Sequence, residues 1–148
     1  MTATEQRRTV LIVDDDLELL HMLTDGLELI GDFQVVQAGN GEEGLEQFYE
    51  TRPDCVIIDI KMPGLNGYQL VQALRGDTDS ASTPLILLTA LAQDKDKFVG
   101  FAFGADQYLV KPVMPSTLVA AVQRAIMTSE QERIERLRVL AEEEGFSG

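Results

Sequence analysis

The chain has 148 residues, of which 45% are hydrophobic and 25% charged, as is usual for one soluble globular domain. Its 12 basic and 25 acidic residues give a formal net charge of −13, which disfavours nucleic acid and anionic membranes as partners of this chain. A single cysteine, Cys55, excludes an intrachain disulfide. The sequence has neither the pattern of a signal peptide nor an apolar run of about 18 residues, so we expect a cytoplasmic protein.

Short apolar runs alternate with amphipathic stretches along the chain. Five runs, each ending near a polar residue, predict strands at 9–13, 33–38, 55–58, 84–88 and 107–110. A first helix is predicted from apolar residues at helical spacing, Leu20, Leu23, Leu27 and Ile30. Asp16 and Asn40 are suited to cap the first and second helices. The remaining helices are predicted at 41–52, 68–75, 94–103 and 115–143.

Strands that alternate with helices predict a parallel sheet with right-handed crossovers. Continuous apolar runs are typical of strands that are buried on both faces. Five such units fit an α/β fold with a doubly wound five-stranded parallel sheet in the order 2-1-3-4-5. Helices should cover both faces, and the last helix should be extended.

Polar residues follow four of the predicted strands, and the carboxyl ends of parallel strands meet at one edge of a sheet. They are Asp14, Asp15, Asp59, Thr89 and Lys111. Three neighbouring carboxylates repel one another unless a cation lies among them, and oxygen ligands suit Mg²⁺. A lysine and a hydroxyl beside the metal suit a phosphoryl group, which a carboxylate can accept.

Four segments of the chain resemble the receiver domain of two-component response regulators. They are residues 10–16 (VLIVDDD), 59–67 (DIKMPGLNG), 87–90 (LLTA) and 108–112 (YLVKP). Each motif alone is weak, but all four occur in the family's order at the expected strand ends. Gly64 and Gly67 are interpreted as turn residues of the loop after Asp59.

The resemblance implies a phosphoacceptor switch rather than an enzyme with a separate substrate. Asp59 would accept a phosphoryl group from the phosphohistidine of a sensor histidine kinase or of a histidine phosphotransfer protein. Asp15 would bind Mg²⁺ directly, and Asp14 would do so mainly through water or act as a supporting acid. The backbone carbonyl of Lys61 would be a further metal ligand. Lys111 would pair with the phosphoryl oxygens.

The resemblance also implies how the signal leaves the site. Thr89 would move toward the phosphoryl group, and Tyr108 would turn into the space that it vacates. A cis peptide before Pro112 would direct Lys111 inward, and the small side chain of Ala90 would leave the site accessible. The output partner is not identified by the sequence.

A phosphatase of the haloacid dehalogenase type is the alternative function, with Asp14 as nucleophile and Asp16 as the second acid. Glu18 stands where that class has threonine or valine, and no strand follows Lys111. That alternative would also leave Asp59 without a role. A scaffold without phosphorylation would be expected to lack an acceptor or a metal ligand, and none is missing here.

Residues 1–127 are predicted to form the receiver domain, and residues 128–148 a helical extension. Those last 21 residues are too few for a separate output domain, and the initiating methionine favours a complete chain over an excised receiver. The extension is predicted to carry three Glu–Arg pairs: Glu130–Arg133, Glu132–Arg136 and Glu135–Arg138.

Two surfaces leave alternatives open. The helix at 94–103 carries Phe98, Phe101 and Phe103, which belong either to the core or to a dimer or output face shared with the fifth strand and last helix. The extension places Ile134, Leu137 and Ala141 on one stripe, with Leu140 beside it. It is either a solvated linker or a helix for self-association or partner binding.

Overall fold

A five-stranded parallel sheet lies at the centre of the chain. The computed structural model describes residues 7–90 and 104–143. Its strands are β1 (Thr9–Val13), β2 (Gln34–Ala38), β3 (Cys55–Asp59), β4 (Leu85–Thr89) and β5 (Gln107–Val110). They lie in the order β2-β1-β3-β4-β5, and each neighbouring pair is parallel. The predicted fold class and strand order are thereby confirmed.

Helices cover both faces of the sheet. In the described part of the chain they are α1 (Leu17–Leu29), α2 (Gly41–Thr51), α3 (Gly67–Arg75) and α4 (Pro115–Glu143). Helices α1 and α4 share one hydrophobic cluster with the sheet, and α2 and α3 share another. The side chains of Asp16 and Asn40 accept backbone N–H bonds at the starts of α1 and α2, so both predicted N-caps are confirmed.

Burial depends on the position of each strand in the sheet. Strands β3 and β4 are buried throughout and β1 nearly so, whereas β2 and β5 are largely half-buried because each lies at an edge. The prediction that every strand is buried on both faces is therefore wrong for β2 and β5. Ile30 was also expected in the apolar stripe of α1, but it follows the last helical residue and is 58% exposed.

Arg75, the last residue of α3, joins three segments at the amino end of the sheet. Its Nε donates to the carbonyl of Gly104 at 2.9 Å, and its Nη1 donates to the carbonyl of Thr83 at 2.7 Å. Its Nη2 lies 2.8 Å from Asp106 Oδ2, which also accepts from the backbone N–H of Leu85. These bonds fix the starts of β4 and β5 relative to α3.

Helix α4 continues without a break to Glu143, so the predicted domain boundary after residue 127 falls inside one helix. The predicted Glu135–Arg138 ion pair is present. Each of the other two predicted pairs includes an arginine whose side chain the structure does not describe. The helix predicted at 94–103, with its three phenylalanines, also lies outside the described residues. Among the helices of residues 7–90 and 104–143, none has the length and apolar character needed to cross a membrane.

Candidate functional site

Three carboxylates meet at the carboxyl edge of the sheet. Asp14 and Asp15 directly follow β1, and Asp59 is the last residue of β3. Asp14 is fully buried and Asp59 is 5% exposed, whereas Asp15 is open to solvent. Oxygen atoms of the three side chains all lie within 4.8 Å of one another. The fold thus brings together the three acids that the sequence placed at strand ends.

Backbone bonds set the orientation of Asp14. Its N–H donates to the carbonyl of Ala38 at 3.1 Å, which continues the pairing of β1 with β2 by one residue. Its Oδ1 accepts from the N–H of Asp16 at 2.9 Å. The other carboxylate oxygen, Oδ2, accepts from the ammonium group of Lys111. Asp14 is therefore held by the turn into α1 and by one cation.

Lys111 bridges the two buried acids. It directly follows β5, and its backbone N–H donates to the carbonyl of Thr89 at 2.6 Å. Its Nζ lies 3.2 Å from Asp14 Oδ2 and 3.0 Å from Asp59 Oδ1. The peptide bond between Lys111 and Pro112 is cis, as the resemblance implies. One positive charge thus contacts two of the three carboxylates.

Burial and charge act in opposite directions on these groups. Burial raises the pKa of the Asp59 carboxyl, and the charge of Asp14 raises it further, whereas the hydrogen bond from Lys111 lowers it. The pKa of Asp59 is therefore above its ordinary value of 3.8. Burial lowers the pKa of Lys111, but the hydrogen bond to Asp59 and the charge of Asp14 raise it above the ordinary 10.5. Lys111 therefore remains charged at neutral pH, in a site that disfavours the ionised form of Asp59.

The cluster has the composition of a site for a divalent cation. Three carboxyl groups outnumber the one ammonium group that contacts them, so the cluster is rich in oxygen ligands and poor in compensating positive charge. Carboxylate oxygens are hard ligands that suit Mg²⁺, which keeps several of its waters, and the exposed Asp15 leaves one side of the cluster open to solvent. The residues present therefore fit Mg²⁺, and the acidic cluster can bind a metal ion.

Thr89 and Tyr108 lie on neighbouring strands. Thr89 is the last residue of β4 and is 1% exposed. Tyr108 on β5 pairs with Leu87, two residues before Thr89, so the two side chains share one face of the sheet. Tyr108 is half-buried and packs against the hydrophobic cluster beneath α2 and α3. The coupling between Thr89 and Tyr108 stays a prediction.

The loop after β3 approaches the start of α3 closely. A Cβ atom on Gly67 would lie 2.4 Å from the carbonyl oxygen of Asp59 and 2.7 Å from the Cα of Ile60, so only glycine fits without a shift. Gly67 is the first residue of α3, and its interpretation as a loop residue is therefore wrong. Lys61 lies two residues after Asp59 and is exposed, and the role of its carbonyl stays a prediction.

Two features of this loop were missed by the sequence analysis. Asn66 and Gln69 form a reciprocal capping box at the start of α3, and their spacing of three residues was a readable signal. Glu42 on α2 accepts from the backbone N–H of Leu65 at 3.4 Å, beside Gly64, whose φ is +75°. That contact joins residues 23 apart, so local sequence could not indicate it.

Comparison with known proteins places this site in a family. Residues 10–123 match the response regulator receiver domain. The protein named probable transcriptional regulator ycf27 of Guillardia theta is 45% identical over 123 residues, which cover 83% of this chain and 46% of that protein. The DNA-binding response regulator MtrA of Mycolicibacterium smegmatis is 38% identical over 133 residues, which cover 90% of this chain and 57% of that protein.

The fold has a similarly clear counterpart among solved structures. The chemotaxis protein CheY4 of Vibrio cholerae superimposes with a TM-score of 0.76 at 34% identity. The alignment covers 80% of this chain and 98% of that one. The likeness therefore extends over nearly the whole of that solved chain.

The curated relatives qualify the expectation about nucleic acid. The chain spans about half the length of the curated relatives it matches, 46% of ycf27 and 57% of MtrA. Because MtrA is named a DNA-binding protein, the expectation that this chain has no nucleic-acid partner is not supported by its relatives.

The family match spans more than half of the chain. Receiver domains act as signalling switches that interact with sensor kinases, rather than as classical enzymes. The chain belongs to the receiver domains of two-component response regulators.

Proposed function

We propose that the chain is a phosphoacceptor switch in which Asp59 takes a phosphoryl group from the phosphohistidine of a sensor histidine kinase or of a histidine phosphotransfer protein. The observation that carries this proposal is the contact of Asp59 Oδ1 with Lys111 Nζ at 3.0 Å, beside the buried Asp14. Asp59 is the last residue of the central strand β3. It contacts the ammonium group of Lys111 and belongs to the cluster of three carboxylates.

In the proposed transfer, a carboxylate oxygen of Asp59 attacks phosphorus and forms an acyl phosphate. The bond between phosphorus and the imidazole nitrogen breaks, and that nitrogen leaves with the electron pair of the bond; because the other ring nitrogen of the phosphohistidine carries a proton, the leaving group is neutral imidazole. Lys111 Nζ offers its charge to the phosphoryl oxygens. Asp14, Asp15, Asp59 and the carbonyl of Lys61 would hold Mg²⁺, which when bound neutralises the equatorial oxygens.

The proposed output is a change at Thr89 and Tyr108. The Thr89 hydroxyl would donate a hydrogen bond to a phosphoryl oxygen, because β4 ends beside the end of β3. Tyr108 would then repack on the same face of the neighbouring strand. Such a local change can be read globally when it biases a two-state element. A partner protein, or a second copy of the chain, would bind the altered face.

The proposal is tested by intact-protein mass spectrometry after incubation with acetyl phosphate and Mg²⁺. We expect one phosphoryl adduct in the wild type and none in Asp59→Asn. Asp25→Asn, the same change at an exposed residue of α1, should form the adduct normally. Omission of Mg²⁺ should suppress the adduct in every variant.

Two outcomes would contradict the proposal. An adduct that persists in Asp59→Asn but disappears in Asp14→Asn would favour the haloacid dehalogenase-type alternative. A wild type that forms no adduct with acetyl phosphate, although it binds Mg²⁺, would favour a scaffold without phosphorylation.

A further inference from the structure

The loop between β3 and α3, residues 60–66, is fixed to the sheet at its base. The backbone N–H of Ile60 donates to the carbonyl of Leu88 at 3.0 Å, which continues the pairing of β3 with β4. The N–H of Gly67 donates to the carbonyl of Ile60 at 2.9 Å, so the two ends of the loop meet. Lys61, whose carbonyl is a magnesium ligand in the proposed function, follows directly after this closure.

The far side of the same loop lies against the start of α2. Gly41 is the first residue of α2 and is buried. A Cβ atom on Gly41 would overlap the carbonyl oxygen of Leu65 and would lie 2.8 Å from the Cβ of Leu65. Leu65 is half-buried and packs against the hydrophobic cluster beneath α2 and α3. The backbones of helix and loop are therefore in direct contact at this point.

The next residue of α2, Glu42, turns its carboxylate toward the loop. Its Oε1 accepts from the backbone N–H of Leu65 at 3.4 Å. A Cβ atom on Gly64 would lie 2.9 Å from Oε2 and 3.3 Å from Oε1, so the carboxylate lies against the Gly64 backbone as well. The φ of Gly64 is +75°, a conformation that favours glycine. One side chain thus contacts two consecutive residues of the loop.

A position in the first helical turn does not by itself account for this contact. Acidic side chains there are favoured because they interact with the positive end of the helix dipole, and α2 carries both Glu42 and Glu43 in its first turn. That interaction requires no contact with another segment. The carboxylate of Glu42, in contrast, accepts a hydrogen bond from a residue 23 positions away.

The order of the loop matters for a backbone ligand. A carbonyl has no side-chain rotamers of its own, so its direction is set by the backbone on either side of it. Ordering a flexible segment costs conformational entropy, and a segment that is already ordered does not incur this cost when a ligand binds. A contact that orders residues 64 and 65 in the metal-free chain therefore favours metal binding through the carbonyl of Lys61.

We propose that Glu42 is a positioning residue for the metal. Its carboxylate holds Gly64 and Leu65, so the carbonyl of Lys61 is in place before Mg²⁺ binds. Glu42 contacts the loop and is not itself a ligand in this arrangement. The proposal rests on the proposed function, in which the Lys61 carbonyl belongs to the magnesium site.

Titration of the full chain with magnesium chloride, followed by amide chemical shifts in NMR spectra, tests the proposal. We expect Glu42→Ala to weaken Mg²⁺ binding about three- to tenfold, less than the roughly 10–100-fold typical of groups bonded directly to a ligand. Glu42→Gln also removes the charge but keeps an oxygen acceptor, so its affinity should stay within about twofold of the wild type. Glu46→Ala is the matched control, because it removes an exposed glutamate from the same helix.

Amide hydrogen exchange without metal gives a second readout. The amide of Leu65 should exchange faster in Glu42→Ala than in the wild type, whereas Glu42→Gln and Glu46→Ala should leave its rate unchanged. This measurement does not depend on Mg²⁺, so it reports the order of the loop directly.

Three outcomes would overturn the proposal. Unchanged Mg²⁺ affinity in Glu42→Ala would show that the contact does not position the ligand. Equal weakening in Glu42→Ala and Glu42→Gln would assign the effect to charge alone. A wild type that does not bind Mg²⁺ at all would contradict the proposed function as well, and is thereby distinguished from the first two outcomes.

Discussion

The ammonium group of Lys111 and the carboxylate of Asp59 determine how the site responds to pH. The pKa of Asp59 is raised in the folded chain, so its protonated form is favoured there relative to the unfolded chain. Stability is therefore lost as pH rises from the ordinary pKa of 3.8 through the higher folded-state value. Above that window, the folded chain holds a carboxylate charge that burial and Asp14 both oppose.

Asp59→Asn is therefore expected to stabilise the fold at pH 7. The amide removes the charge at nearly constant shape, and we expect a gain of about 1 kcal/mol in the free energy of unfolding. The gain should shrink toward pH 4. Urea denaturation between pH 4 and 7, without divalent cations, measures it, with Asp25→Asn as control. A pH-independent difference would contradict the assignment to the Asp59 charge.

Lys111→Met should have the opposite effect. It leaves Asp14 and Asp59 without their shared cation, and we expect a loss of about 2 kcal/mol at pH 7. Added Mg²⁺ should then raise the melting temperature of the variant more than that of the wild type, because a cation at the cluster replaces the lost charge. Differential scanning fluorimetry with and without Mg²⁺ measures this.

The control for this experiment is Arg124→Met, which removes an exposed positive charge from α4. It should change neither stability nor the response to Mg²⁺. An equal Mg²⁺ response in Lys111→Met and the wild type would show that the metal does not bind close to Lys111.

At the scale of the elements, the contact between β3 and α3 depends on Gly67. Gly67→Ala would place a Cβ 2.4 Å from the backbone oxygen of Asp59, which cannot move without shifting the end of β3. We expect a loss of about 2 kcal/mol, as for an overpacked core. Gly39→Ala is the control, because the nearest atom to its Cβ would be a glutamate oxygen 4.0 Å away. Urea denaturation compares the two variants, and equal losses would contradict the steric argument.

The elements themselves were largely predictable, because apolar runs and helical spacing are local signals. The exposure of Ile30 was not predictable from those signals, because it depends on where a helix ends. The partial exposure of β2 and β5 follows instead from the strand order, which places both at edges of the sheet. Arg75 illustrates the same limit, since its carbonyl partners include Gly104, 29 residues away. The acids of the site were predictable because each lies at or directly after the carboxyl end of an apolar run, whereas the contact of Glu42 with the loop was not.

At the scale of the whole molecule, the two ends of the sheet carry different features. The carboxyl end holds Asp14, Asp59 and Lys111, and the amino end holds Arg8 with Glu130. Helix α4 begins four residues after Lys111 and leaves the body at the amino end. One continuous helix thus runs from the neighbourhood of Lys111 to the amino end of the sheet and beyond it.

The proposed coupling from Asp59 to Tyr108 crosses three strands of the sheet, and amide hydrogen exchange can test it. If Thr89 couples the phosphoryl group to Tyr108, the rate of amide hydrogen exchange in residues 107–110 should change on phosphorylation of the wild type. Thr89→Ala should accept the phosphoryl group with a much smaller change in exchange, because the coupling hydroxyl is lost. Thr83→Ala, in the loop two residues before the start of β4, should behave like the wild type. A full exchange response in phosphorylated Thr89→Ala would rule out this route and require a different link between Asp59 and β5.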